Sequence, residues 1–450
     1  MEEQSGTAAE AEPIASQRPL SLKDLERLAL TRNPTLPQAG ALVQQQQGLT
    51  RQAGLYPNPQ AGYLRTDADQ SGQSQTSGVF LGQEFVTAGK LRLARAAGRQ
   101  EVQLRRWQLN AQQLRVLNDL HIRYYEVLGA QQAVQAATEL VTLAEDGLRA
   151  AEQLLKAKQG ARPDVLQAKI QLSALRTSLQ DAQYRLQTAW RHLANVAGVP
   201  DLPTTPLVGS LDEDVPALDW KTSLQQLLDS SPLLKAQEAE IRASQYEVQF
   251  ARAQAIPNVN VQLVAQRDHI MKFSSVSTLI SMPVPLFNRN QGGIVNAQGI
   301  LRQQQMEYER IRLALSDELA ASFRQYQTLR AQTDRLDKEI LPSAKENLDL
   351  TNQGYKAGRF DFLHVLNARQ TYFQARMARI DALTELHKVV VEIEGMQLTG
   401  GLNPTEVGTA LQTTPGAGTT GIRGVILQQL QQQRAAGLRT LPGAVQGAER

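Results

Sequence analysis

"GLYPNPQ" at residues 54–60 and "AIPNVNVQ" at 255–262 are the stretches on which the reading of this chain turns. Each ends a run rich in Gln, Ala, Leu and Arg with a Pro-Asn pair, and helical periodicity is lost beyond it. Proline removes a backbone donor and disfavours helix in the residue before it, so helices over about 35–55 and 222–255 are expected to stop there. Pro57, Asn58 and Pro59, and again Pro257 and Asn258, are thus candidate helix-to-strand transition residues.

The residues beyond the second break alternate. Val259, Val261 and Leu263 fall on one face and Asn258, Asn260 and Gln262 on the other, the period of a strand. Val276, Thr278, Ile280, Met282 and Val284 form its partner after a polar turn near Arg267, Asp268 and His269. The first half offers residues 60–66 and 77–86 around "DADQSGQSQ", with Val79, Leu81 and Phe85 as its apolar stripe.

These two hairpins are one unit duplicated. "RNPTL" at 32–36 answers "SSPLL" at 230–234, and a shift of 200 aligns Ala168, Leu172, Leu175, Leu179, Ala182, Leu186, Ala189 and Leu193 with Ala368, Tyr372, Ala375, Arg379, Ala382, Leu386, Val389 and Ile393. Steps alternate 4 and 3, the heptad period of helices packed along a seam, and only Arg379 breaks the apolar register. A proline-free helix from about Ala88 to Lys158 carries a similar stripe, as does the stretch from about Gln291 to Tyr355, through Leu315, Ser322, Tyr326, Leu336 and Ile340; Pro342 is expected to kink the latter.

The resulting plan is a disordered segment over 1–20, a first repeat over 21–199 (hairpin about 57–86, long helices about 88–198) and a linker over 200–220. A second repeat comes next over 221–398 (hairpin about 257–286, long helices about 290–397), then a low-complexity tail over 399–450 that is disordered apart from a short helix near 422–436. The fold class is mainly α with a small β part, built from two tandem repeats of helix, β-hairpin, long helix and helix.

Composition removes several functions. With no cysteine there is no disulfide framework, thiolate metal site or cysteine nucleophile. The formal net charge is only +3 and the basic residues are spread along helices, which gives nucleic-acid binding no support. His121, His192, His269, His364 and His387 are isolated, none at metal-ligand spacing to another. "NQGG" at 290–293 lacks the Lys-Ser/Thr of a phosphate loop, and no Gly-x-Ser-x-Gly nucleophile motif occurs. No catalytic residue, cofactor or metal ligand is expected. Trp107, Trp190, Tyr124 and Tyr326 lie on seam-like faces and read as packing residues.

No run of about 18 apolar residues exists, which excludes a transmembrane helix but not a β-barrel, whose strands need only about 9–11 alternating residues. Four strands cannot close a barrel, and an open edge in lipid leaves backbone groups unsatisfied. If the hairpins enter a membrane, chains must pool them, and three copies of four strands make twelve. The alternative is a cytoplasmic helical coiled-coil scaffold with soluble hairpins, favoured only by a start, MEEQSGTAAEAEPIASQRPL, without the basic and apolar regions of a secretory signal. On the export reading, that signal lies outside this chain.

The arrangement resembles the TolC-like outer membrane efflux proteins. The likeness covers residues 20–398 and is carried by "GLYPNPQ", "GQEFVTAGKLRLARAAGRQ" (82–100), "ARPDVLQAKIQL" (161–172) and "YKAGRFDFLHVLNARQTY" (355–372); "TAGKLRLAR" is most similar to the heavy-metal cation, CzcC-like, subgroup. The resemblance implies a homotrimer in the outer membrane, in contact with its lipid, whose twelve-stranded barrel continues as an α-helical periplasmic barrel. It would dock a periplasmic adaptor and an inner-membrane transporter of RND type, and serve as a passive export conduit, extending to heavy-metal cations. Its periplasmic tip and adaptor-docking turns would be Gly160, Ala161, Arg162, Pro163 and Asp164, and Gly358, Arg359, Phe360 and Asp361, with Tyr355, His364 and Asn367 at the aperture. Gly160 and Gly358 are expected to permit the backbone reversal, Pro163 to fit the first helical turn and Asp164 to favour a helix N-terminus. The family's acidic aperture rings are replaced at the matching positions by His364 and Asn367, leaving Asp164 and Asp361 as charged rim residues.

Overall fold

A computed structural model describes residues 19–68, 74–158, 160–213, 215–269, 272–357 and 359–403. Most of the 399–450 tail, including its expected short helix, and residues 1–18 lie outside these. The ends that are described are ordered, contrary to expectation. Leu20 bridges Leu207 in parallel, and Gly400 and Gly401 donate to the Asp119 carboxylate at 3.0 and 2.6 Å.

Each repeat opens with two helices, not one. α1 (Leu22–Arg32) and α2 (Thr35–Ala53) meet at Asn33-Pro34; α5 (Trp220–Ser230) and α6 (Pro232–Ala253) meet at Ser231-Pro232. The helix expected over 222–255 is therefore interrupted, because Pro232 lacks the N–H that would continue the ladder yet suits the first turn of a new helix. α1 is secured by a capping box in which the Ser21 hydroxyl and the Asp24 carboxylate each accept the other's backbone N–H.

The proline breaks then lead into strands. β1 (Gln60–Ala68), β2 (Ser74–Phe85), β3 (Val259–Asp268) and β4 (Ser274–Ser281) form one antiparallel sheet in chain order, so β1 and β4 are both open edges. β4 ends before Met282 and Val284, which belong to a long connection and not to the strand as expected. α3 (Lys90–Lys156) is a single helix of 67 residues, about 100 Å at 1.5 Å per residue. It is followed by α4 (Arg162–Val196).

In the second repeat, α7 (Gln291–Arg335) passes through a π-helical turn (Leu336–Ile340) into α8 (Leu341–Lys356), and α9 (Phe362–Glu394) closes it. The π-turn is how the helix accommodates Pro342: the Leu341 N–H reaches back to Leu336 O, one residue further than in an α-helix. The extra residue turns Ile340 off the apolar stripe, and it is 46% exposed where burial was expected. No described helix is long and apolar enough to cross a membrane.

The chain divides into two compact units. The helical unit takes residues up to Pro34, Gln113–Leu224 and Asp317–Asn403; the hairpin unit takes Thr35–Gln112 and Gln225–Ser316. Inside the helical unit the heptad seam is a packed core: Leu172, Ala182 and Leu193 of α4 and Ala375, Ala382, Leu386, Val389 and Ile393 of α9 are buried. Arg379, the break in the register, is answered by Asp337 on the π-turn and by Asp212, 2.7 Å away, on the segment joining the repeats. That segment is a strap packed on the helices. Leu202, Leu207 and Leu211 are buried, Trp190 Nε1 donates to Leu202 O at 2.9 Å, Tyr124 donates to Val208 O, and the His387 ring lies 3.0 Å from Leu211 O and stacks on Tyr125.

Candidate functional sites: two helix turns and a strand-to-helix corner

The α3–α4 and α8–α9 turns lie in the helical unit and share one apolar cluster: Ala151, Ala168, Phe362 and Leu366 are buried together, with Leu148, Val165 and Tyr355 packed against them. Tyr355 is half-buried, its ring 5.9 Å from Phe362, and burial pushes its hydroxyl pKa up. Above the cluster the turn residues face outward. Ala161, Arg162, Pro163, Arg359, Phe360 and Asp361 are exposed, as are His364 and Asn367, one helical turn apart on α9.

The reversal after α3 is not made by Gly160. Lys158 takes the left-handed conformation (φ 58°), and Gly160 is closely packed: a Cβ there would sit 3.1 Å from Leu154 Cβ and 3.2 Å from Leu155 N. Gly358 lies outside the described residues. Pro163 does fall in the first turn of α4, and the Asp164 carboxylate accepts from the Ala161 N–H at 3.4 Å. At the second turn Asp361 is the N-cap of α9, accepting from the His364 N–H at 3.0 Å and pairing with His364 Nδ1 at 2.6 Å. The His364 side chain, then its amide, holds the Asp361 carboxyl below the usual carboxylate range. Asp361 is thus committed to its own helix. Gly354 leaves room for the Phe360 ring, which a Cβ would meet at 2.2 Å.

Arg369 was not singled out by sequence. It lies over Gly147 and donates to Leu143 O at 3.3 Å, while its buried Nε has no partner among the described residues; burial lowers its pKa. Among the described residues no group of three His, Asp or Glu could hold a metal ion.

The second site lies in the hairpin unit, where the residues just past β2 meet the second proline break. Thr87 Oγ1 donates to Pro257 O at 2.6 Å, and the Thr87 N–H to Asn258 Oδ1 at 3.3 Å. Lys90, only 8% exposed, donates its Nζ to Ile256 O and Asn258 Oδ1; Asn258 Nδ2 donates to Glu84 Oε1 at 2.7 Å. Burial lowers the Lys90 pKa, and Glu84 opposes this. Consecutive left-handed residues, Ala88 and Gly89 (φ 54° and 64°), set up this corner. Pro257 and Asn258 lie between α6 and β3, and Asn258 is held by groups from the other repeat. A sequence signal was there: "EFVTAGK" supplies acceptor, hydroxyl, left-handed turn and cation within seven residues.

An open-edged sheet on proline corners and paired long helices is the protomer fold of an outer-membrane channel. The chain superposes on the crystal structure of CusC, a transmembrane channel, with a TM-score of 0.71 at 20% identity, covering 84% of this chain and 92% of that one. A family model described as "Outer membrane efflux protein" matches residues 25–199 and 223–398, and the chain belongs to that family. It is 27% identical to the cobalt-zinc-cadmium resistance protein CzcC of Cupriavidus metallidurans over 87% of this chain and 94% of that protein. It is 26% identical to protein CyaE of Bordetella pertussis, over 80% of each chain. The chain is an outer membrane efflux channel protein, and its place is the outer membrane.

Proposed function

We propose that this channel is the passive outer conduit for heavy-metal cations in a homotrimer, docked to a periplasmic adaptor and an inner-membrane transporter of RND type that supplies the energy. What carries the cargo reading is the likeness to the cobalt-zinc-cadmium resistance protein over nearly the full length of both chains. The trimer is supported by the two open sheet edges, since lipid tolerates no unpaired strand edge and four strands are too few to close alone. On this reading the turn residues Gly160–Asp164, of which Ala161, Arg162 and Pro163 are exposed, and the exposed Arg359–Asp361, with exposed Leu166 and Leu363 beside them, form the tip that meets the adaptor. Tyr355, His364 and Asn367 then line the aperture without an acidic ring. No catalytic step is assigned to any residue.

Deleting the gene and titrating Co²⁺, Zn²⁺ and Cd²⁺ against growth, beside dyes and antibiotics, tests the cargo. Sensitivity confined to the metals is expected, and sensitivity to the organic compounds alone would refute it. The purified chain should be a trimer in detergent and conduct across a planar bilayer; a non-conducting monomer would refute the conduit.

A further inference from the structure

In the hairpin unit, equivalent helices of the two repeats carry unequal charge. α2 and the part of α3 beside it, residues 35–53 and 90–112, hold seven basic side chains and one acidic one. Their counterparts, α6 and the start of α7 (232–253 and 291–316), hold six basic and five acidic. The second repeat pairs its charges within each helix: Arg242 meets Glu238 at 3.5 Å, Arg310 meets Glu307 at 2.6 Å and Arg312 meets Glu309 at 2.9 Å. The single acid of the first, Glu101, is buried and accepts from Gln46 Nε2. Arg51, Arg95, Arg99 and Arg106 have no ion pair and no side-chain hydrogen bond among the described residues.

These four arginines line one cleft of about 460 Å³ between α2 and α3, with buried Thr50 and Val102 in its wall. Gly54 lets the Arg95 stem lie across the end of α2, since a Cβ there would meet the Arg95 Cδ at 3.0 Å. Arg95 and Arg99 stand one helical turn apart, a spacing at which like charges repel. Helix packing does not demand them. The starts of α3 and α7, Lys90 and Gln291, align the repeats so that Gly98 falls on Gly299, and Arg95, Arg99 and Arg106 on Asn296, Ile300 and Glu307. The match of Pro57 with Pro257 likewise sets Arg51 on Ala251. The duplicated unit folds without a cation at any of the four positions, so the cationic cleft belongs to the first repeat alone.

We propose that the α2–α3 cleft is an anion-binding site that takes a phosphate-bearing ligand, clamped by Arg51, Arg95 and Arg99, with Arg106 receiving a second anionic group about 10 Å further along α3. A guanidinium is always charged and presents a planar fork of donors that fits phosphate oxygens two at a time. One carboxylate fills one such fork, whereas a phosphate spreads its charge over oxygens that several arginines share. The cleft is of the size of small-ligand sites and exceeds a single inorganic ion. Two sources carry this chemistry, a lipid headgroup and a free phosphate. Arg95 lies about 7.5 Å of helix beyond the start of α3, which keeps a headgroup at the edge of the sheet within reach.

The proposal asks nothing of the cargo or of the number of subunits, because the site lies within one chain and its stoichiometry is counted per chain. The purified channel in an uncharged detergent is titrated with inorganic pyrophosphate by calorimetry. Saturable binding of one pyrophosphate per chain is expected, weakening as salt rises. Arg95→Gln/Arg99→Gln should weaken it at least tenfold, and Arg95→Lys/Arg99→Lys, which keeps the charge and loses the fork, should fall between. Arg302→Gln/Arg310→Gln removes the same charge from the second repeat and should leave affinity within twofold. All three pairs of changes are at partly or fully exposed positions, and circular dichroism checks that each variant keeps its helices. In a second arm, native mass spectrometry counts phosphatidylglycerol and phosphatidylcholine retained from mixed micelles. Retention of phosphatidylglycerol above phosphatidylcholine, abolished by Arg95→Gln/Arg99→Gln, identifies a headgroup as the ligand; arginine-dependent binding of pyrophosphate alone identifies a free phosphate. Binding in neither arm, or equal loss in the first-repeat and second-repeat variants, overturns the site and reduces the arginines to a solvated surface.

Discussion

α4 and α9 occupy the same place in their repeats and carry the same heptad seam, yet only one is buried beyond it. α4 buries one stripe and leaves Leu166, Ile170 and Tyr184 exposed at 53%, 64% and 58%. In α9 the three consecutive valines 389–391 are all buried, which no single face of a helix allows. The reason is position in the duplicated chain. The strap between the repeats lays Leu211 and Asp212 against α9, and the turn after α9 is tied back to α3 by Asn118, whose Nδ2 donates to Gly395 O and Leu398 O at 2.9 and 2.7 Å. Equal pattern, unequal surroundings: the seam fixes which residues pair, and the connections decide how much more is covered.

The largest expected effects test the part the helices share. Leu193→Ala in α4 and Leu386→Ala in α9 remove side chains that are 0% and 2% exposed, and each should cost about 2–5 kcal/mol. Urea unfolding followed by the fluorescence of buried Trp190 reads this. A cost below about 1 kcal/mol in either would mean that one seam is ornamental and that the equivalence of the two helices fails.

Arg379 separates the helices next. Replacing it by leucine restores the apolar register that α4 keeps, but removes the partner of Asp212 and Asp337. The side chain is 23% exposed and its partners more so, which puts the loss at about 1–2 kcal/mol, below that of a fully buried pair. Strap residues near Asp212 should also gain hydrogen-exchange rate. A variant as stable as the parent, with its strap equally protected, would show that the arginine is tolerated and not used.

At the turns the comparison inverts an expectation. Lys158 carries the left-handed strain that glycine was expected to carry, so Lys158→Gly should stabilise by about 1 kcal/mol. Gly160→Ala should destabilise by a similar amount, through the 3.1 Å approach to Leu154, and not through its backbone angle. Equal and opposite shifts in urea midpoint would support this; stabilisation by both would refute the assignment of strain.

What the sequence made legible was local or periodic. The Pro57 and Pro257 breaks follow from the missing N–H, and the seam from a repeat of seven summed over many turns, which tolerates one charged exception. What it hid was chemistry between distant residues. The grip of Lys90 on Asn258 spans 168 positions, and the partner of Arg379 on the strap lies 167 away. Neither leaves a periodic trace. The Ser231-Pro232 interruption was hidden differently: proline is at home in the first turn of a helix, so a break followed at once by a new helix reads as one continuous helix. Both candidate turns were found by position, but the backbone conformation within them was not, because lysine in a left-handed conformation is set by the surrounding packing and not by its own preference.

The smallest effect concerns how the two turns start their second helices. α4 begins Arg162-Pro163 after an Ala161 N-cap that has no side-chain acceptor, and α9 follows the Asp361 cap, so only α9 depends on a carboxylate as its N-cap. The folded-state pKa of Asp361 is depressed, chiefly by the His364 side chain and then by its amide. Its contribution is therefore fully present above the unfolded carboxylate pKa of about 3.9 and is lost as pH falls through the lower folded value. The protection factor of the His364 amide against hydrogen exchange should be flat from pH 7 to about 5 and decline in more acid solution, ahead of amides deeper in α9. Asp361→Asn keeps an oxygen acceptor at the cap and removes the titrating group. Protection there should become independent of pH over the same range; an unchanged acid decline in that variant would assign it to the wider fold and leave the two helix starts alike.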